Sequence, residues 1–296
     1  MNHILTIDFE DWNQIAYRRA TGTLPPPTDN LLRQTERLFS LLERHNTHAT
    51  FFVLGLTAEQ HPALVRRVVA AGHEIACHGY AHLLVHALSP QQFHEDTKRA
   101  KDVVEQISGC AVRGYRAAEF SVREDSLWAL EVLAELGFDY DSSIVPARQR
   151  RYGIPNFSAA PGRYALANGR EIVELPLSLM QFANFHWPAG GGCFRLMPLG
   201  MIERFIAQLD GRAPAVTYFH PYEFDSERLN IFETARPGAL GAWWRAARFQ
   251  FHQNLGRTSM PQKLAALLAR FRFTTCANFL KESHLGERRS LLSFAS

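Results

Sequence analysis

Three of the chain's 13 histidines fall within the ten residues HEIACHGYAH, at His73, His78 and His82. His78 and His82 are four apart on a turn behind an apolar run. They can therefore face one point in space, and a carboxylate from a neighbouring strand completes a set of two imidazoles and one acid with positions left for water and substrate. A divalent ion held in this way lowers the pKa of its water toward ~7 and polarises a carbonyl, the chemistry of amide or ester hydrolysis. A second carboxylate can take the water's proton, and a separate histidine can protonate the leaving nitrogen. Alone the pair decides little, because histidines with this spacing also occur on ordinary helices.

Further polar groups stand at the ends of other apolar runs. The stretch DFED supplies Asp8, Glu10 and Asp11; GYRAAEF supplies Arg116 and Glu119; FDYDSS supplies Asp139 and Asp141; YFHPYEFD supplies His220, Glu223 and Asp225. Each has a plain structural reading, as an acidic turn, an ion pair or a hydrogen-bonded core histidine. Their joint appearance at successive strand ends is what points to a site. Glycines 190 to 192 fit a loop whose backbone lies close to a substrate, and they lack the lysine and the serine or threonine of a phosphate loop. His86 continues the four-residue spacing, but a third ligand on one helix would sit too far along the axis, so it reads as surface or packing.

The elements that must position these groups alternate between strand and helix. ILTIDF (4–9) reads as a first strand, DNLLRQTERLFSLLERH as a helix, and THATFFVLG as a strand ending at Gly55. Pro62 opens a helix that Gly72 closes, HEIACH follows as a strand, and residues 89–109 form a helix with a serine cap and a glycine stop. EDSLWALEVLAELG leads into FDYDSSIV; EIVELPLS is another strand, WPAGGGCFRLMP a loop, and LGMIERFIAQLD a helix feeding AVTYFHPYEF (215–224). Residues 226–256, with Trp243, Trp244, Phe249 and Phe251, have no clean period and read as a lid-like insertion packed over the rest, the alternative being a sugar-stacking or membrane-facing lid; PQKLAALLARFRFTTCANFL closes the set. Such alternation implies an α/β fold, and in βα barrels the catalytic groups sit at the C-terminal strand ends and the loops after them.

With 296 residues, 46% of them hydrophobic, the chain is expected to form one large domain. Thirty-two Lys and Arg against 29 Asp and Glu give +3, too mild a surplus to imply nucleic acid. Cys77, Cys110, Cys193 and Cys276 form no CxxC pair and read as reduced, mostly buried thiols. No run reaches the ~18 to 20 apolar residues needed to span a bilayer. MNHILTIDFEDW lacks the features of a secretory signal, so the expectation is a cytoplasmic protein able to contact a membrane peripherally.

In their order, these motifs resemble the polysaccharide deacetylases of carbohydrate esterase family 4, over about residues 4–225. TIDFEDW is similar to the family's acidic first motif, THATFFVLG to its second strand, GHEIACHGYAH to its metal motif, GYRAAEFS to its arginine motif and VTYFHP to its last histidine motif. DFEDW, YDSS, GGGCFRL and HPYEFD resemble segments of the branch found beside exosortase (PEP-CTERM) exopolysaccharide loci. The resemblance implies a distorted (β/α)7 barrel with a C-terminal extension packed on it: a core over about 4–225 and 257–280, the insertion 226–256, and a tail 281–296. It also implies a metal-dependent N-deacetylase acting on N-acetylhexosamine units of an exopolysaccharide or its lipid-linked precursor. Zinc is the implied metal, with cobalt, nickel or manganese as substitutes.

Carried over residue by residue, the resemblance makes His78 and His82 metal ligands. Asp11 is the third ligand and Asp8 the general base, but the family's acids are adjacent whereas Asp8 and Asp11 are three apart, so Glu10 between them can fill either role. Arg116 would pair with the base, Asp141 would support the general acid His220, and Glu119, Tyr222 and Gly191 would bind substrate. The family often has a proline after its arginine; Ala117, Ala118 and Glu119 stand there instead, which alters the substrate wall. Two rival readings are an allantoinase-like hydrolase of small cyclic amides on the same barrel and a catalytically inactive glycan-binding barrel. No GxSxG occurs to support a serine hydrolase.

Overall fold

The structure, a computed structural model, describes residues 1–149, 151–182, 185–233 and 236–291. The end of the expected tail, from 292 on, lies outside the described residues. Its first half alternates β1 (His3–Phe9), α1 (Trp12–Thr21), α2 (Asn30–Arg44), β2 (Thr50–Val53), α3 (Gly55–Gln60), α4 (Pro62–Ala70), β3 (Glu74–Cys77), α5 (Pro90–Ser108), β4 (Gly114–Tyr115), α6 (Trp128–Glu135) and β5 (Tyr140–Asp141). There follow β6 (Gly162–Ala165), β7 (Glu171–Glu174), β8 (Leu179–Phe182), β9 (Phe185–Pro188), α7 (Gly191–Leu196), α8 (Leu199–Leu209) and β10 (Val216–Phe219). The chain then runs through α9 (Leu240–Asn254), α10 (Met260–Arg270), β11 (Phe273–Thr274), α11 (Cys276–Glu282) and β12 (Arg289–Ser290).

Strands β10, β1, β2, β3, β4, β5 and β7 lie side by side in that order, every pairing among them parallel. The segment after β7 links the two ends of this row. Leu177 N–H donates to Ile144 O beyond β5 (3.0 Å), Ser178 N–H to Val216 O of β10 (3.2 Å), and Val216 N–H returns to Ser178 Oγ (2.9 Å). These seven parallel strands, with helices among the described residues in every connection except that from β5 to β7, follow the order expected of a (β/α)7 layout, and these bonds bring the segment after β7 against β10.

Successive strand residues point to opposite faces, and the burial clusters show which face is which. Leu5, Ile7, Phe9, Phe51, Ile75, Cys77, Tyr115 and Phe219 pack outward against the helices. Ile4, Phe52, Ala76, Tyr140, Val173 and Val216 meet inside the sheet, where Cys276 and Phe279 of α11 join them at the N-terminal end of the strands. The inward positions nearest the C-terminal ends are left to polar residues.

Two expectations about the second half are corrected. Gly191–Leu196, read as loop, is helix α7, and the segment without a clean period holds the 15-residue helix α9. All four cysteines are free; Cys77 and Cys276 are buried and Cys110 is exposed.

Candidate active site

Strand β1 carries Thr6 and Asp8 inward, and the same parity aims Glu10, one residue beyond its end, into the barrel mouth. Asp11 falls on the other side. Its carboxylate caps α1, accepting from the N–H groups of Asn13 (2.9 Å) and Gln14 (3.4 Å), and also ties down Thr28 N–H (3.1 Å). The expectation that Asp11 is a metal ligand is therefore corrected: both its oxygens are engaged by backbone donors on the helix side. Burial pushes its pKa up to about 6, against the pull of those three N–H groups.

From β3, parity sends Ala76 and then His78 inward, and the loop beyond turns back through Gly79 (φ 75°) and His82 (φ 55°) to bring the second imidazole alongside. Glu10 Oε2 lies 3.0 Å from His82 Nε2 and 3.8 Å from His78 Nε2. Among the described residues, Glu10, His78 and His82 form a candidate metal site, one ligand atom from each lying within 4.8 Å of the others. His78 Nδ1 sits 2.8 Å from the Arg116 carbonyl, which only accepts, so Nδ1 holds the proton and Nε2 presents a lone pair. Burial lowers the pKa of His78, favouring the neutral ligand form. Burial would raise Glu10, but His82, His220 and His78 outweigh it and hold the carboxyl at about 2. Its Oε2 is buried without a hydrogen bond of good geometry. Three Lewis-basic atoms facing one point, one of them an orphaned carboxylate oxygen, fit a borderline divalent ion such as zinc.

Asp8 faces this trio from the same strand. Its Oδ1 accepts from Arg116 Nη1 at 2.9 Å, and the fully buried guanidinium also donates to Thr6 Oγ1 (2.6 Å), Ser142 O (3.0 Å) and Ser142 Oγ (2.8 Å). Arg116 thus bonds to residues of β1 and of the chain just past β5, and fixes the orientation of the Asp8 carboxylate. The pairing expected for Arg116 is present.

His220, one residue beyond β10, enters from the other neighbour of β1, with Nε2 4.0 Å from Asp8 Oδ2 and 3.7 Å from Glu10 Oε1. The residue behind it is Glu223: Oε2 lies 3.7 Å from His220 Nδ1 and accepts the His220 backbone N–H at 3.1 Å. Burial alone would lower His220, but Glu223, Glu10 and Asp8 outweigh it and raise the imidazole to about 9, leaving it a proton to give at neutral pH. Asp141, expected in the supporting role, is on the wrong face of β5. Its neighbour Tyr140 points inward, so Asp141 points out, where it binds Ser143 Oγ (2.6 Å) and Ser143 N–H (3.1 Å). The signal for Glu223 was in the sequence, as a glutamate three residues after the histidine in HPYE, the spacing of a reciprocal cap on a short turn.

Asp141 instead pairs in register with Glu174 of β7. Burial pushes both carboxyls up, Glu174 well above its ordinary 4.5 because the Asp141 charge adds to burial. The folded chain thus keeps a proton that the unfolded chain releases near 4.5, so this pair's contribution to stability is fully present below that pH and is lost as pH rises toward the folded value. Glu174→Gln, which keeps a neutral hydrogen-bonding group, is expected to flatten the decline of melting temperature as pH rises above the ordinary glutamate value of 4.5. Parallel declines for variant and parent would rule out the shared proton.

An open cleft above these groups is lined by Trp12, Arg19, Glu119, Tyr152, Tyr218, Tyr222 and Phe249, among others. Glu119 and Tyr222 therefore stand where a substrate would lie. Glu119 bridges Arg19 (3.4 Å) and Arg151 (3.3 Å), and it and Phe120 have φ of 52° and 53°, unusual for side-chain-bearing residues. Tyr222 donates to Gln253 Oε1 (2.8 Å). Gly191 does not reach the cleft: its backbone is pressed against the Tyr218 ring, where a Cβ would come within 2.7 Å of the hydroxyl oxygen. His86, as expected, takes no part, its Nδ1 lying 3.1 Å from Ser121 O. Trp12, Arg19 and Tyr152 were missed, since aromatic and basic residues on helices and loops carry no spacing that marks a wall.

Residues 28–140 match the family model described as polysaccharide deacetylase, and residues 142–281 one described as a domain of unknown function, DUF3473. A peptidoglycan-N-acetylglucosamine deacetylase of Bacillus cereus is 30% identical over 101 residues, 34% of this chain and 37% of that protein. A chitooligosaccharide deacetylase of a Bradyrhizobium species is 30% identical over 100 residues, 34% of this chain and 43% of that protein. The match spans about two fifths of the length of these curated relatives. Among solved structures, a Mycobacterium smegmatis protein provisionally described as a polysaccharide deacetylase shares the fold with a TM-score of 0.60 at 20% identity, over 97% of this chain and 94% of that one. An activity-restored mutant of a carbohydrate esterase family 4 pseudoenzyme from Bacillus anthracis does so with a TM-score of 0.51 at 12% identity, over 97% of this chain and 68% of that one. The matched deacetylase segment contains His78, His82 and Arg116, while Asp8 and Glu10 precede it and His220 lies in the second matched region. Residues 28–140 are thus similar in sequence to the polysaccharide deacetylases, and the pairing of β5 with β7 and of β1 with β10 carries one sheet through both matched regions.

Proposed function

We propose that the chain is a metal-dependent N-deacetylase of N-acetylhexosamine units in a glycan, with an exopolysaccharide of the exosortase-locus type or its lipid-linked precursor as the substrate. The observation that carries this reading is the convergence of Glu10, His78 and His82 in one cleft with the Asp8–Arg116 pair and His220. A divalent ion, zinc by the character of the donors, would be held by Glu10, His78 and His82 and would supply an acidified water and a polarised acetyl carbonyl. Asp8, held in place by Arg116, takes the proton from the attacking water. His220, charged and held by Glu223, protonates the sugar nitrogen as acetate departs. The two proton-transfer groups enter from adjacent strands, so one deprotonates while the other protonates across the same cleft.

Acetate release from N-acetylglucosamine oligomers, peptidoglycan, exopolysaccharide and lipid-linked sugars is expected to be lost with chelator, restored by zinc, and abolished in His78→Ala. Release that survives both treatments would remove the metal from the reaction. Turnover confined to a small cyclic amide would replace the glycan.

A further inference from the structure

Helix α9 has two apolar faces, and the fold uses only one. On the inner face Ala242 and Ala246 are buried, Phe249 stacks on Trp12 of α1 (6.2 Å between centroids, 9° between planes), and Gln253 accepts from Tyr222 Oη. Gln250 accepts the Ile231 N–H at 2.6 Å. These positions recur at helical spacing and account for how α9 is held to the barrel. The opposite stripe is left over: Leu240, Trp244, Phe251 and Leu255 are 74%, 63%, 60% and 38% exposed. With Arg248 between them they fall at i, i+4, i+8, i+11 and i+15, one continuous line along the helix. Leu196, 69% exposed, is a further exposed apolar residue nearby in the chain's fold, next to Arg195, whose carbonyl lies against Gly256 just past the helix. Contiguous exposed apolar surface of this kind marks a contact with something other than water.

Charge narrows what that something is. The 48 residues 234–281 contain eight Lys and Arg and no Asp or Glu. Arg245 and Arg248 lie on α9 itself, both exposed, and neither pairs with a carboxylate among the described residues. A second copy of the chain would set these like charges against one another across a symmetric interface. A soluble glycan has no use for the aliphatic ends Leu240 and Leu255. A helix with Trp, Phe and Leu outward and arginines beside them suits the interface of an anionic bilayer, the aromatic and aliphatic side chains entering the acyl boundary while the guanidinium groups stay at the phosphates.

We propose that the outer face of α9 docks the protein on an anionic lipid surface. Since Phe249 and Gln253 on the inner face line the active cleft, docking sets the mouth of that cleft beside the membrane.

The test is co-sedimentation of the full chain with phosphatidylcholine vesicles, with and without phosphatidylglycerol, at low and high salt. Binding is expected to need phosphatidylglycerol and to weaken with salt. The double variant Trp244→Ser, Phe251→Ser is expected to bind about tenfold more weakly or worse, and Arg245→Gln and Arg248→Gln to cost about fivefold each. Melting temperatures close to the parent's show that the variants remain folded; Trp244, Arg248 and Phe251 lie on the exposed side, and Arg245 gives up a bond to the Ala20 carbonyl of α1 (3.4 Å). No pelleting with either vesicle, or pelleting that the serine variant leaves intact, overturns the proposal. So does concentration-dependent dimerisation that the serine variant abolishes while no vesicle binding is seen. None of these measurements needs hydrolysis, so their outcome is separate from that of the deacetylase reading.

Discussion

Glu10→Gln is expected to lose the bound metal and, with it, acetate release, whereas Asp11→Ala keeps both. A residue that only supports a metal ligand is worth roughly 10- to 100-fold in affinity. A direct ligand should be worth at least ~100-fold, and the amide nitrogen or oxygen of glutamine supplies no negative charge to replace the carboxylate facing His78 and His82. Asp11→Ala instead removes the cap of α1 and the tie to Thr28, an expected loss of about 1–2 kcal/mol in stability with metal content unchanged. Metal content per chain and chemical denaturation of the two variants separate the assignments. Full zinc in Glu10→Gln, or none in folded Asp11→Ala, would return the ligand role to Asp11.

The choice between these acids was open in the motif but not in the strand. A β-strand alternates its side chains, so once Thr6 and Asp8 face the interior, Glu10 follows them and Asp11 cannot. The same rule places His78 with Ala76, His220 with Tyr218, and Arg116 with Gly114, whose missing side chain leaves room for the Tyr140 ring. It excludes Asp141, because Tyr140 is inward. Among the metal and proton-transfer roles, the two that the structure reassigns, those of Asp11 and Asp141, are the two that break strand parity. Motif order identified the strand ends, while the face each residue takes depends on pairing register, which a single strand of two to seven residues shows only when its apolar residues alternate.

Helix α9 was illegible for a different reason. Periodicity shows an amphipathic helix by contrast between faces, and Trp243, Trp244, Phe249 and Phe251 put apolar bulk on both. The short helix after Gly190 was hidden by its glycines, which at Gly190 and Gly191 accommodate φ of 145° and 45° against the Tyr218 backbone and ring. The barrel, by contrast, was legible because its helices α2 and α5 separate their faces cleanly and its strands end in polar residues.

The second large effect belongs to Asp8 and Arg116, and it divides activity from stability. Asp8→Asn keeps the shape and can still accept from Arg116, but it cannot take a proton from water. Turnover is expected to fall roughly 10²- to 10⁴-fold with metal content intact. Arg116→Met has a different cost. It leaves the buried Asp8 carboxylate without its cation and strips donors from Thr6 Oγ1 and the Ser142 carbonyl, so the expected destabilisation is about 3–5 kcal/mol, read by urea unfolding. If the pair's charges are the source of that penalty, the double variant Asp8→Asn, Arg116→Met recovers part of the lost stability and none of the activity, because no unpaired charge then remains inside the barrel. Activity retained in Asp8→Asn would move the base to another carboxylate. Simple additivity in the double variant would mean that Arg116 holds the strand ends together through its neutral hydrogen bonds, with Asp8 only one acceptor among several.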